Sequence, residues 1–313
     1  MPFRSAAACV KLSTVRGVAR GLIRACLGER NEVVLHALYH RVLRRTGRFI
    51  VPESPSTVRA LEVASQNART VLDIGANAGR YSWFFARNAR KGVTIYAFEP
   101  MPTAFALLQA NVASMSSVTC LPLALADVDG REVLHVPLDS FGNAASGYSW
   151  ISSTEGRENE LTVQVSVTSV DQLVRNRRLL LDRPLFLKID VEGSEYRVLR
   201  GARETLRIYR PVIYFECQSW ALERVGAKVQ SVNDLLSAAN YETWAEANGL
   251  FTNYDNIDPG VANFFAIPKV QSTQKAARMS AEEFVILLRR ALEDDERAED
   301  FGNALGTGSA PGR

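Results

Sequence analysis

One ten-residue stretch, Val71-Leu-Asp-Ile-Gly-Ala-Asn-Ala-Gly-Arg80, constrains the fold more than any other part of the chain. Val71, Leu72 and Ile74 make the apolar run of a buried strand. Gly75 and Gly79 make a tight turn where a ligand can approach the backbone, and the residues from Tyr81 to Phe85 open a segment with helical spacing. A second apolar run, Val93–Phe98, ends in Glu99. In nucleotide-binding α/β folds a carboxylate at the tip of the second strand grips an adenosine ribose. Two strands, a glycine turn and an acidic tip therefore predict a site for an adenosine-bearing ligand.

The rest of the chain extends this unit. Strands at 71–74, 93–98 and 118–123 alternate with helices at 80–90 and 102–113, preceded by a short helix over 56–68. Such alternation predicts a parallel sheet with helices on both faces. Residues 131–138 and 161–168 switch to a period of two, which predicts an antiparallel hairpin around a long loop, 140–156, rich in Gly, Ser and Asn. Loops of that length are often functional. The sheet resumes at 185–189, followed by a helix near 194–208, a strand at 211–215, a helix at 231–239, and a last strand pair at 241–245 and 262–267. Ser280 and Glu283 fit a capping box. It opens a helix whose apolar stripe (Phe284, Leu287, Leu288, Ala291 and Leu292) predicts docking on its own domain rather than on a second copy.

Composition narrows the classes. A 313-residue chain with 47% hydrophobic and 23% charged residues is ordinary for a globular protein, and a net charge of +3 gives no case for nucleic acid. No run reaches the ~18 apolar residues that span a bilayer, so the expected location is cytoplasmic. Cys9, Cys26, Cys120 and Cys217 form no CxxC pair, which argues against a zinc site or a disulfide scaffold. The basic character concentrates at the N-terminus. Val15, Val18, Leu22, Ile23 and Cys26 fall on one helical face and Arg16, Arg20 and Arg24 on another, with no acid before Glu29. Residues 10–45 are thus the candidate for peripheral membrane contact or a transit segment. The favoured alternative is a helix packed on the core or on a partner, with its arginines in water. Residues 303–313 are Gly-rich and expected to be disordered. This gives a basic helical extension (1–50), a main domain (56–268), a C-terminal amphipathic helix (278–302) and the tail; oligomeric state is left open.

The glycine spacing speaks to the ligand. A dinucleotide calls for G-x-G-x-x-G around its pyrophosphate. Here the turn is G-x-x-x-G, and Asp73 before it repels phosphate. S-adenosylmethionine carries a sulfonium, an amine and no phosphate, so charge favours it. A second charged cluster, Lys188, Asp190 and Glu192, lies at the carboxyl end of a buried strand, where ligands bind in open α/β sheets and where unpaired charge is costly. Glu216 ends the next strand. The three histidines, His36, His40 and His135, all lie outside these motifs. Any proton removal then falls to a carboxylate, with Asp190 the first choice and Glu192 and Glu216 the others, or to a metal. The same three acids could hold Mg²⁺ or Ca²⁺ through oxygen, although no metal ligand is assigned. Trp150 and Tyr148, in the long loop, either stack on a sugar ring or anchor the loop.

Taken together, Asp73-Ile-Gly-Ala-Asn-Ala-Gly79, Phe98-Glu-Pro100, Ala124-Leu-Ala-Asp127 with Gly130, and Lys188-Ile-Asp-Val-Glu-Gly193 through Gly201 resemble the FkbM family of S-adenosylmethionine-dependent methyltransferases. The resemblance covers residues 56–268. It implies a class I methyltransferase fold: a Rossmann-like, seven-stranded, mostly parallel sheet with a reversed strand near the C-terminus. It also implies O-methylation of hydroxyls on sugars, glycolipids and secondary metabolites. On that resemblance Asp73, Gly75, Asn77 and Gly79 bind the cofactor, with Asp73 and the glycines walling its methionine part. Glu99 holds both ribose hydroxyls, and Ala126 and Asp127 border the adenine with Asp127 reaching its amino group. Asp190 sits beside the sulfonium and the acceptor hydroxyl. Two readings compete: a nucleotide-dependent dehydrogenase, disfavoured by the glycine spacing and Asp73, and a non-catalytic binding module on the same fold.

Overall fold

A computed structural model describes residues 33–138, 149–152, 160–253, 263–269 and 277–297. The expected helix around 15–26, most of the 140–156 loop, including Tyr148, and the 303–313 tail lie outside these residues. The strand runs with no polar alternation became the centre of the sheet. β1 (Thr70–Ile74) and β8 (Leu185–Ile189) are buried at every position, as strands covered on both faces must be. β1 pairs in parallel with β2 (Thr94–Phe98) on one side and β8 on the other. β2 pairs with β3 (Val118–Leu121), and β8 with β9 (Val212–Glu216), also in parallel.

Beyond β9 the direction reverses. β12 (Asn263–Pro268) runs antiparallel to both β9 and β10 (Tyr241–Ala247). The order β3-β2-β1-β8-β9-β12-β10 contains the seven expected strands, and β11 (Leu250–Asn253) and β13 (Arg278–Ser280) extend the sheet to nine. β11 follows Asn248-Gly249, both at positive φ, the two-residue turn that favours a tight hairpin. A separate four-stranded sheet, in the order β4-β7-β5-β6, is built from Ala124–Leu125, Glu160–Thr168, Gly130–Pro137 and Trp150–Ser152. It contains the expected hairpin, β5 against β7, with β6 on the outer side of β5.

Helices cover both faces of the large sheet. α2 (Pro55–Asn67), capped by the Ser54 side chain, packs with α3 (Arg80–Asn88) and α10 (Ala281–Arg297) on one face. α10 begins with the expected capping box: Ser280 N–H donates to the Glu283 carboxylate (2.7 Å) and Glu283 N–H to Ser280 Oγ (3.3 Å). Its Phe284 lies 3.8 Å from Phe251, ring on ring. The other face carries α5 (Val170–Arg175), α6 (Glu195–Arg200), α7 (Arg203–Tyr209) and α9 (Val229–Ala238). The single helix expected at 194–208 is broken into α6 and α7 at Gly201. A Cβ there would sit 2.0 Å from the Ala126 carbonyl oxygen, so the missing side chain admits the small sheet at this point. α4 (Pro102–Val112) flanks β2 and β3, α8 (Ser219–Arg224) follows β9, and α1, over 33–45, precedes the domain.

Candidate active site

β1 lies between β2 and β8, and the chain winds outward in both directions from it. That switch point opens a crevice at the carboxyl ends of the strands. A cleft with an empty volume of about 730 Å³, open mouth included, occupies it. Its floor is Gly75 and Asn77 after β1, Glu99 after β2, Asp190 and Glu192 after β8, and Glu216 at the end of β9. Leu134 and Ile151 of the small sheet form the facing wall.

The glycine turn is shaped by two close approaches. Gly75 (φ 76°) and Gly79 (φ 80°) both need left-handed backbone, and Asn77 (φ 47°) joins them. A Cβ at Gly75 would lie 1.8 Å from the Asp190 carbonyl oxygen, and one at Gly79 would lie 2.6 Å from Leu108. Gly75 lines the cleft, whereas Gly79 serves packing against α4. The turn ends at Glu99: its Oε2 accepts the Asn77 N–H (2.8 Å) and its Oε1 the Met101 N–H (2.9 Å). Burial pushes the Glu99 carboxyl up, the two backbone donors pull it back, and the balance lies at about 7.

Asp73 occupies a different place from the one expected. It is wholly buried beneath the turn, accepts the Ser82 hydroxyl at 2.5 Å, and faces Lys188 at 3.4 Å. Strand register explains the pair, since Asp73 of β1 lies opposite Lys188 of β8. Lys188 also approaches Asp190 at 3.2 Å and donates to the Gly75 carbonyl at 2.9 Å. Burial alone would favour the neutral amine, but Asp190 and Asp73 outweigh it and hold the ammonium above its ordinary value. Lys188 thus locks together the turns after β1 and β8.

The turn after β8 is strained, with Glu192 at φ 54°. Buried Glu195 clamps it: its Oε1 accepts the N–H groups of Val191 (3.1 Å) and Gly193 (3.2 Å). Sequence reading overlooked this role of Glu195, although a carboxylate two residues past a glycine turn and at the start of a helix is a recognisable signal. The clamp presents Asp190 and Glu192 to Glu216, and one oxygen from each lies within 4.8 Å of the others. Burial, then the negative charge of Asp190, pushes Glu192 and Glu216 each up to about 8. Glu216 accepts a hydrogen bond from the Gln218 amide.

Ala126 and Asp127 are not brought to the cleft; their neighbours Ala124 and Leu125 line it instead. Ala126 is buried in the small-sheet core. Asp127 meets Arg197 at 3.0 Å and Arg200 at 3.2 Å, and Arg197 also forks onto Glu132 at 2.7 and 2.8 Å. Asp127 thereby braces the small sheet against α6. Trp150 stacks on His135 (5.2 Å) under the Arg224 guanidinium (4.0 Å) and anchors its loop.

The strand order and the cleft at its switch point define a Rossmann-like fold of the class I methyltransferase type. The chain matches the Methyltransferase FkbM domain over residues 73–243, more than half its length, and belongs to that family. It is 32% identical over 155 residues to the 31-O-demethyl-FK506 methyltransferase FkbM of Streptomyces tacrolimicus. That match covers 43% of this chain but only 59% of the relative's length. It is 27% identical over 188 residues to the hexuronic acid methyltransferase AglP of Haloferax volcanii, covering 59% of this chain and 69% of AglP. Among solved structures, it is similar to an FkbM methyltransferase from Methylobacillus flagellatus at 18% identity and a TM-score of 0.39, over 64% of this chain and 44% of that one. An O-methyltransferase from Bacillus cereus in complex with SAH gives 13% identity and a TM-score of 0.41, over 80% and 97%. The fold assignment rests on the strand order.

Proposed function

We propose that this chain transfers a methyl group from S-adenosylmethionine to a hydroxyl of a glycan, glycolipid or other small-molecule acceptor. The observation that carries the reading is the charge of the cleft. Four carboxyl groups line it (Glu99, Asp190, Glu192 and Glu216), and no lysine or arginine is among its described lining residues. Burial leaves Glu192 and Glu216 largely protonated and Glu99 partly protonated at neutral pH. A cationic ligand without phosphate stabilises their charged forms, whereas a dinucleotide's phosphates do not. Relatives named a 31-O-demethyl-FK506 methyltransferase and a hexuronic acid methyltransferase support the same chemistry.

The residues fit that cofactor. Each Glu99 oxygen already accepts one backbone N–H and keeps a lone pair, enough to accept both ribose hydroxyls. When bound, the cofactor supplies a methyl already activated on sulfur. Much of the acceleration then comes from alignment, which the clamped turns after β1 and β8 provide. Asp190, Glu192 and Glu216 take up the acceptor proton; Glu192 and Glu216, raised to about 8, act as bases once pH exceeds that value.

The test is calorimetric titration with S-adenosylmethionine and S-adenosylhomocysteine, on wild type and Glu99→Ala. Two lost charge-assisted hydrogen bonds should weaken binding by about 100-fold or more. No binding by folded wild-type protein would bring the non-catalytic module to the front. In acceptor assays, activity that survives chelation leaves proton uptake with the three acids. Activity lost to chelation and restored by Mg²⁺ would assign them to a cation instead.

A further inference from the structure

α1 attaches to the domain by one side only. His40 and Arg44 meet Asn111 of α4, and Phe49, just past the helix, packs on Trp83. At 100° per residue the half-buried and buried positions 33, 36, 37, 40, 43 and 44 share one side. The opposite arc, about 160° wide by the same geometry, holds Val34, Leu35, Leu38, Tyr39 and Val42, with Arg41 at one edge and Arg45 between Val34 and Leu38. The five apolar side chains are between 37% and 56% exposed. Exposed Ile50 and Arg48 continue the surface past the helix end.

Ordinary helices turn charged or amide side chains to water, and single exposed apolar residues are common. A helix face of leucine, valine and tyrosine, interrupted by Arg45 and left exposed among the described residues, is not, and it marks a contact surface. Charge selects the occupant. The first 52 residues hold ten arginines and lysines against two acids, Glu29 and Glu32, and no acid lies in 33–52. That is +8 in a chain whose net charge is +3, so the remaining residues carry −5. A second copy stacking α1 on α1 would set arginine against arginine. The preceding residues 1–32 would bring further arginines onto Arg41 and Arg45. An anionic lipid surface satisfies both parts, taking the apolar face at the acyl boundary and the guanidinium groups among its headgroups.

We propose that the free face of α1 seats this protein on anionic membrane surfaces. The site is distinct from the cleft, and the proposal does not depend on the transfer chemistry. Asn111, which bonds His40, also donates to the Ala78 carbonyl at 2.7 Å, so the docked helix lies directly behind the cofactor turn. An enzyme held this way works on acceptors presented at a membrane.

The experiment is co-sedimentation of the full chain with vesicles of phosphatidylcholine, alone or with roughly one quarter phosphatidylglycerol. Wild type should bind the anionic vesicles at least ~10-fold more tightly than the neutral ones, and binding should weaken as salt rises. Leu38→Asp with Val42→Asp should reduce anionic-vesicle binding by ~10-fold or more while leaving the melting temperature and cofactor binding unchanged. Variant binding equal to wild type would overturn the proposal. So would full retention of binding at high salt, or loss of all binding when only residues 1–32 are removed. A wild-type dimer in light scattering that Leu38→Asp dissociates, without vesicle binding, would reassign the face to self-association.

Discussion

At the scale of single residues, the site is a set of acids arranged around one buried cation. Lys188 is the member whose loss should cost most, because Asp73 would be left wholly buried without its charge partner. Removing one partner of a buried pair costs about 3–5 kcal/mol. Lys188→Met should therefore destabilise the fold by that amount in urea titrations, and Asp73→Asn in the same chain should recover part of it. On the proposed proton uptake, these acids set the pH dependence of turnover. Glu192 and Glu216 hold protons up to a pH of about 8, and a protonated carboxyl cannot accept the acceptor's proton. The rate should rise as pH increases through about 8, and Glu216→Gln should lower the plateau and displace that rise. A pH–rate profile of the variant that overlays wild type would remove Glu216 from proton uptake.

At the scale of elements, the decisive feature is contact between two turns from strands more than a hundred residues apart in sequence. Gly75 is in van der Waals reach of the Asp190 carbonyl because it has no Cβ. Gly75→Ala must either twist an unfavourable backbone or push the turn after β8 outward. A displacement of about 1 Å near the reacting groups costs on the order of 100-fold, so kcat/KM should fall at least that far in a protein that still folds. Near-normal kinetics would mean that the two turns need not touch for function. The break at Gly201 makes the same point for packing. Helical periodicity runs across residues 194–208, yet the helix breaks at Gly201, where the missing side chain admits the Ala126 carbonyl. A local pattern carries no signal of a distant backbone oxygen.

For the whole molecule, the acid-lined cleft couples ligand binding to stability. Glu99 and Glu195 are raised to about 7, and Glu192 and Glu216 to about 8, chiefly by burial. In each case the folded form holds its proton at a pH where the unfolded chain has lost it. Their contribution is full below about 4.5, the ordinary carboxyl value, and is lost as pH rises through 7 to 8. The ligand-free protein should melt at lower temperature at pH 9 than at pH 6, and a cationic ligand in the cleft should narrow the difference. A melting temperature that rises steadily over that range would contradict this account of the cleft's charge.

Much of this was legible in sequence because strand burial, helix periodicity and glycine turns are local signals. The runs at 71–74, 93–98 and 185–189 and the Ser280–Glu283 cap all carry their structure within a few residues. The seven central strands and the position of the cleft follow from their order, since parallel crossovers leave few topologies. β13, only three residues long, falls below any pattern length. What tertiary structure alone decided is which acids line the cleft and which face a cation. Asp73 and Asp127 read as cofactor residues from their motifs, but strand register hands one to Lys188 and sheet packing hands the other to Arg197 and Arg200. A carboxylate's role depends on its nearest charge, and that charge lies on another strand or helix, at a distance the linear chain does not record.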